Sequence, residues 1–197
     1  MDYVVLDLEW NQASDSRDAR NRLLTFEIIE IGAVKLNSRM EIVDTFEELI
    51  RPQVYDTMHH IAEKLIGIHM KDLSGCRTFD VVMKDFLAWC GEDFMFGTWG
   101  PQDLTELQKN MRFFGMEPLG KGPVRFYDIQ KLFGLVYEGE KTSRSLEYAI
   151  DFLDEGKEGK FHRALNDAYY TAEIFQKLPK AAVEEYESVS YTHLRAH

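Results

Sequence analysis

The sequence is short of three things. Cysteine occurs twice, at Cys76 and Cys90, which gives neither the spacing of a zinc knuckle nor a disulfide framework. Its apolar runs all stop far short of the roughly 20 residues that a membrane-spanning helix requires. Positive charge is also scarce, with 23 Lys and Arg against 34 Asp and Glu and a net charge of −11. That balance excludes loose, whole-surface affinity for DNA or RNA. It leaves room for an enzyme that grips one chain end through metal ions and a few local contacts. The chain enters an apolar strand at once, with no room for the charged, apolar and cleavage regions of a signal peptide. Together with the sparse cysteine, this makes a reducing, cytoplasmic location the expectation.

Interdomain linkers, internal repeats and low-complexity stretches are missing as well. The 197 residues therefore read as one domain over 1–182, long enough to bury a substantial core. Residues 183–197 read as a tail without helical periodicity. Its end, SVSYTHLRAH, is unlike the rest and reads as a cloning or sequence-assembly remnant, so His193 and His197 are set aside.

What the chain does have is 45% hydrophobic and 13% aromatic residues, the make-up of a folded globular protein. Tyr3 to Leu8 is apolar on both faces, the mark of a central strand. Side chains alternate along a strand, so Asp7 and Glu9 share one face and Leu6 and Leu8 the other. Two carboxylates at the end of a buried strand repel one another and are costly to desolvate. A divalent cation between them removes both problems; the alternative is an edge strand with both acids in water.

A polar loop, Asn11 to Asn21, follows and could form a rim beside these acids. Phe26 to Asn37 and Glu41 to Ile50 then return as strands, which makes a three-stranded meander. His59 to Leu73 is helical in two pieces broken near Gly67, and Thr78 caps a helix with an apolar stripe from Phe79 to Cys90. Phe94 to Thr98 is a fourth strand, after which Pro101 starts a helix running to about Phe114. Val124 to Asp128 is a fifth strand, and a short helix reaches Phe133. Helices over Ser143 to Leu153 and Arg163 to Leu178 close the domain. The order predicts a mixed α/β sheet with helices on both faces.

Three more residues draw attention. On the last helix Asp167 falls in the inward half, where an acid needs a partner, either a metal or a nearby arginine or backbone donor. His162, in the break before that helix, suits proton removal from water near neutral pH, or is an ordinary surface histidine. Asp103, in a first helical turn, is favoured by the helix dipole alone, but faces Asp7 if strand four lies beside strand one. His59, His60 and His69 share one helical segment without paired-ligand spacing.

Taken together, Val5-Leu-Asp7-Leu-Glu9, Gly97-Thr-Trp-Gly-Pro-Gln-Asp103-Leu and His162-Arg-Ala-Leu-Asn-Asp167-Ala resemble the three motifs of DEDDh-type 3′–5′ exonucleases, of the ribonuclease-H-like superfamily. The Asp-Leu-Glu-Trp-Asn start and the Trp-Gly-x-x-Asp form are most similar to the branch that trims histone-message and small-RNA 3′ ends, and to its bacterial relatives. The resemblance covers residues 3 to 178. It implies a five-stranded sheet of order 3-2-1-4-5, with strand two antiparallel to the rest.

It further implies that Asp7, Glu9 and Asp167 hold one ion, Asp7 bridges to a second, and Asp103 reaches that one through water. Hard oxygen ligands suit two Mg²⁺ or Mn²⁺ ions. His162 would be the general base that takes a proton from the attacking water. The expected partner is a single-stranded 3′ end, RNA rather than DNA, releasing nucleoside 5′-monophosphates. By the same resemblance Leu65-Ile66-Gly67-Ile68 matches the stretch that seats the terminal base, with Ile66 in place of the usual threonine. Ile68 is then an apolar wedge and Trp10 a stacking surface. The rival expectations are a DNA proofreading or repair exonuclease, and a non-catalytic nucleic-acid-binding module on the same fold.

Overall fold

A computed structural model describes residues 1–139, 143–153, 161–186 and 189–190. Its centre is a sheet ordered β3-β2-β1-β4-β5-β6. The strands are β1 (Asp2–Asn11), β2 (Glu27–Leu36), β3 (Ile42–Leu49), β4 (Phe94–Thr98), β5 (Val124–Asp128) and β6 (Val189–Ser190). β1 lies in the interior, antiparallel to β2 and parallel to β4. β3 is antiparallel to β2, and β5 is parallel to β4. The predicted order and direction of the first five strands are therefore those observed.

The continuous apolar character of β1 has a two-sided cause. Val4, Leu6 and Leu8 pack with Phe79, Val82, Met83 and Phe86 of α3 (Phe79–Cys90), and with Leu104, Leu107 and Met111 of α4 (Gln102–Phe113). Val5 points the other way, into a core with Ile129 and Phe133 of α5 (Ile129–Phe133), Ile150 of α6 (Leu146–Phe152), and Ala168, Ile174 and Phe175 of α7 (Ala164–Lys177). Each large apolar side chain so buried contributes about 1.5–3 kcal/mol. Asp7 and Glu9 follow Val5 in the alternation, so they face α7.

Two features of β2 decide how closely α7 can approach. Gly32 stands opposite Asp7, and a Cβ there would lie 2.2 Å from the backbone N of Leu165 and 2.3 Å from the carbonyl carbon of Ala164. The first turn of α7 thus rests directly on the bare backbone of the sheet. Glu30 stands opposite Glu9 and is completely buried.

The short helices α1 (His60–Ile66) and α2 (Met70–Leu73) are split by Gly67 in the left-handed conformation, as the sequence predicts. The helix expected from Ser143 begins later, at Leu146, because Ser145 caps it by accepting from the N–H of Tyr148. Pro101 is the residue before α4 rather than its first.

Past α7 (Ala164–Lys177) the described residues continue as regular structure. A helix α8 (Lys180–Glu185) crosses the expected boundary at residue 182, and its Val183 is buried in the α7-side core. Val189 and Ser190 then pair antiparallel with β5. One buried apolar side chain in a six-residue helix leaves too little periodicity to read from the sequence. Residues 191–197 lie outside the described residues.

Candidate active site

β1 is longer than the strand beside it. It pairs with β4 over Asp2 to Val5 only, so beyond Val5 its edge on that side is open. The first turn of α4, which leaves the end of β4, fills the gap. Oδ1 of Asp103 accepts the backbone N–H of Leu8 at 3.1 Å. The side chain is buried, so Asp103 joins the Asp7 end of β1 although it is 96 positions away from Asp7 in the chain.

α7 supplies the other wall. Asp167 is buried, and its Oδ2 accepts the backbone N–H of His162 at 3.1 Å. His162 has φ 64°, a left-handed conformation that a non-glycine residue adopts at a penalty of about 1–2 kcal/mol. Ligand atoms of Glu9, His162 and Asp167 all lie within 4.8 Å of one another.

The electrostatics are those of anions crowded together out of water. Asp7 is held well above the usual carboxylate range by burial, reinforced by Asp103, Glu9, Asp167 and Glu30. Glu9 is pushed up to about 8 by burial and then by Asp167, Glu30 and Asp103, while Arg163 pulls it down. Asp103 is raised to about 7, chiefly by burial, against the opposing hydrogen bond from Leu8. Asp167 is raised to about 6 by burial, against the pull of the His162 N–H.

These residues fit a hard divalent cation. The Oδ1 atom of Asp167 is buried without a hydrogen-bond partner, and a lone pair hidden from water costs free energy unless something occupies it. Four carboxyl groups held in mutual repulsion supply the oxygen donors that Mg²⁺ and Mn²⁺ prefer.

The two residues expected to touch a substrate base fare differently. Trp10 follows a β-bulge between Glu9 and Trp10, is half-buried, and its ring lies 5.5 Å from that of Phe26. Ile68 follows the left-handed turn at Gly67. It is only 4% exposed and packs with Ile29, Ile66 and Leu73, because the turn at Gly67 folds it inward. The apolar side chains left in solvent nearby are Ile61 and Leu65 of α1.

Sequence reasoning missed Asn11, Glu30 and Arg163. Asn11 is fully buried; its amide donates to the carbonyl of Thr57 and accepts the N–H of His59, which ties the start of α1 to the end of β1. Glu30 receives the guanidinium of Arg163. The available signal for Glu30 was an acid flanked by isoleucines in a strand apolar on both faces, Ile28-Ile-Glu-Ile-Gly-Ala-Val34.

Comparison with known proteins agrees with this geometry. The chain is 25% identical to human 3′-5′ exoribonuclease 1 over 159 residues, covering 75% of this chain and 45% of that protein. It is 32% identical to the PolC-type DNA polymerase III of Clostridium perfringens over 184 residues, covering 93% of this chain and 12% of that protein. It thus spans less than half the length of either relative. Among solved structures, the nuclease domain of 3′hExo, a DEDDh family member bound to rAMP, superposes with a TM-score of 0.76 at 20% identity, covering 96% of both chains. The profile of the exonuclease family (RNase_T) matches residues 4–175. The chain belongs to the exonuclease family.

Proposed function

We propose that the protein is a 3′–5′ exonuclease that releases nucleoside 5′-monophosphates from single-stranded 3′ ends, RNA in preference to DNA. The observation that carries the reading is the convergence of Glu9, His162 and Asp167 within 4.8 Å, at the strand end that also holds Asp7 and Asp103. Asp7, Glu9, Asp103 and Asp167 would hold two Mg²⁺ or Mn²⁺ ions. Such ions, when bound, stabilise the attacking and leaving oxygens of an in-line displacement. The imidazole of His162 takes the proton of the attacking water. The water oxygen bonds to phosphorus, the bond from phosphorus to the penultimate nucleotide's 3′-oxygen breaks, and that oxygen takes up a proton from solvent to become the new 3′-hydroxyl. Trp10, half-buried and next to Glu9 in the chain, offers a face on which the terminal base stacks.

The preference for RNA is supported by the likeness to human 3′-5′ exoribonuclease 1 and to a nuclease domain that binds rAMP. The 32% identity to a DNA polymerase favours DNA proofreading as the second reading. The 2′-hydroxyl separates the two. The experiment is digestion of end-labelled RNA and DNA oligomers of matched sequence, single-stranded and duplex, with Mg²⁺ or Mn²⁺ and with EDTA. Stepwise 3′ shortening that EDTA abolishes, faster on single-stranded RNA, is the expected result. Faster digestion of DNA would select the second reading, and shortening that persists in EDTA would falsify the metal mechanism.

A further inference from the structure

α7 begins without a cap of its own, since its N-cap residue Arg163 makes no side-chain capping bond. The cap comes from another strand. Oε2 of Glu30, on β2, accepts the N–H of Ala164 at 3.3 Å. The same carboxylate receives the guanidinium of Arg163, with Nε 2.9 Å and Nη2 2.7 Å from Oε1 and Nε 3.2 Å from Oε2. Arg163 also lies 3.6 Å from Glu47 of β3.

Glu30 is the cross-strand neighbour of Glu9, and Gly32, beneath the first turn of α7, is that of Asp7. Arg163 sits between His162 and Ala164, and His162 is held in a left-handed conformation by its bond to Asp167. A planar guanidinium on a carboxylate fixes angle as well as distance. Glu30 is buried and Arg163 half-buried, and an ion pair taken partly out of water adds little net stability over well-packed apolar residues, so stability alone is a weak reason for it.

We propose that Glu30 and Arg163 are a positioning pair, which locks the start of α7 to β2 at the register of Glu9 and so sets the spacing of His162 and Asp167 from the acids of β1. The pair touches neither substrate nor attacking water; it acts through the residues on either side of Arg163. The proposal rests on the exonuclease reading for its kinetic consequences, whereas its metal-binding consequence can be read without turnover.

The test is a cycle of Glu30→Gln, Arg163→Gln, the double variant and Arg163→Lys, each measured for Mn²⁺ affinity by electron paramagnetic resonance, for kcat and KM on an oligonucleotide, and for melting temperature. Arg163→Gln leaves the buried Glu30 without its guanidinium and can fail to fold, whereas Glu30→Gln leaves a half-buried Arg163 still beside Glu47, and the double variant removes both charges together. In the folded double variant, Mn²⁺ affinity and kcat should each fall about 10- to 100-fold, with KM little changed. Lysine should restore charge but not the fork, and recover only part of the loss. The double variant should be no worse than the poorer single, since the two residues act as one unit. A folded double variant with parental Mn²⁺ affinity and kcat would overturn the proposal, as would losses that simply add between the singles. If the parent protein binds Mn²⁺ but cuts nothing, the exonuclease reading fails while the affinity comparison still decides the pair.

Discussion

The backbone N–H of Leu8 donates to Oδ1 of Asp103 at 3.1 Å, so this carboxylate has a structural task as well as a chemical one. It completes the open edge of β1 with one oxygen and leaves the other for the site. The two tasks can be separated. Asp103→Asn keeps an acceptor for Leu8 and should melt at or above the parental temperature while losing nuclease activity. Asp103→Ala leaves a buried N–H unpaired, which costs about 1–3 kcal/mol, and should lose both. Equal melting temperatures for the two variants would show that the Leu8 bond does nothing for stability.

His162 is proposed to move a proton rather than to build the site. His162→Ala should therefore reduce kcat by about 10²- to 10⁴-fold, with Mn²⁺ affinity lowered far less than in Asp7→Ala. The backbone N–H that reaches Asp167 survives the substitution, so the fold of α7 should be unchanged. Turnover equal to the parent's would remove His162 from the base role.

Stability in EDTA should depend on pH with a definite sign. Asp7, Glu9, Asp103 and Asp167 all have folded-state pKa values raised above their unfolded ones, to about 8 for Glu9, about 7 for Asp103 and about 6 for Asp167. Groups of this kind bind protons more tightly in the folded chain. Their contribution is fully present below the ordinary carboxyl pKa and is lost as pH rises through about 6 to 8. The metal-free protein should therefore melt lower at pH 8.5 than at pH 6, by about 2–4 °C for each kcal/mol lost. Added Mn²⁺ should raise the melting temperature more at pH 8.5, where it competes with fewer protons. Glu9→Gln should flatten the metal-free profile. A profile already flat in the parent would mean that the acids are not in mutual repulsion.

Gly32 should tolerate no side chain. With the backbone of Leu165 2.2 Å from the position of its missing Cβ, Gly32→Ala must push the start of α7 off the sheet. We expect a loss of about 1–3 kcal/mol together with a large fall in activity, because His162 and Asp167 move with the helix. Ala in place of Gly75, where a Cβ meets nothing within 4 Å, serves as the comparison without a clash. Parental activity in Gly32→Ala would show that the helix can shift without harm to the site.

The chain by itself determined a good deal. Apolar character on both faces of Tyr3 to Leu8 marked β1 as interior, and alternation placed Asp7 and Glu9 on one face, because a strand repeats every two residues whatever surrounds it. The helical period of α7 turned Asp167 inward for the same kind of local reason. The order of the motifs then pointed to the family.

Tertiary structure alone decided the rest, since each remaining question concerned two segments far apart in the chain. That Asp103 completes the edge of β1 depends on β4 being the shorter partner. The burial of Ile68 depends on the direction the chain takes after Gly67, and the place of α8 depends on Val183 meeting the core beside α7. Glu30 is the clearest case. In the sequence it is an acid between isoleucines in a largely apolar strand, and only the docking of α7 supplies the arginine and the helix start that it holds. Local periodicity reports which way a side chain points; what it meets there is set by packing across the sheet.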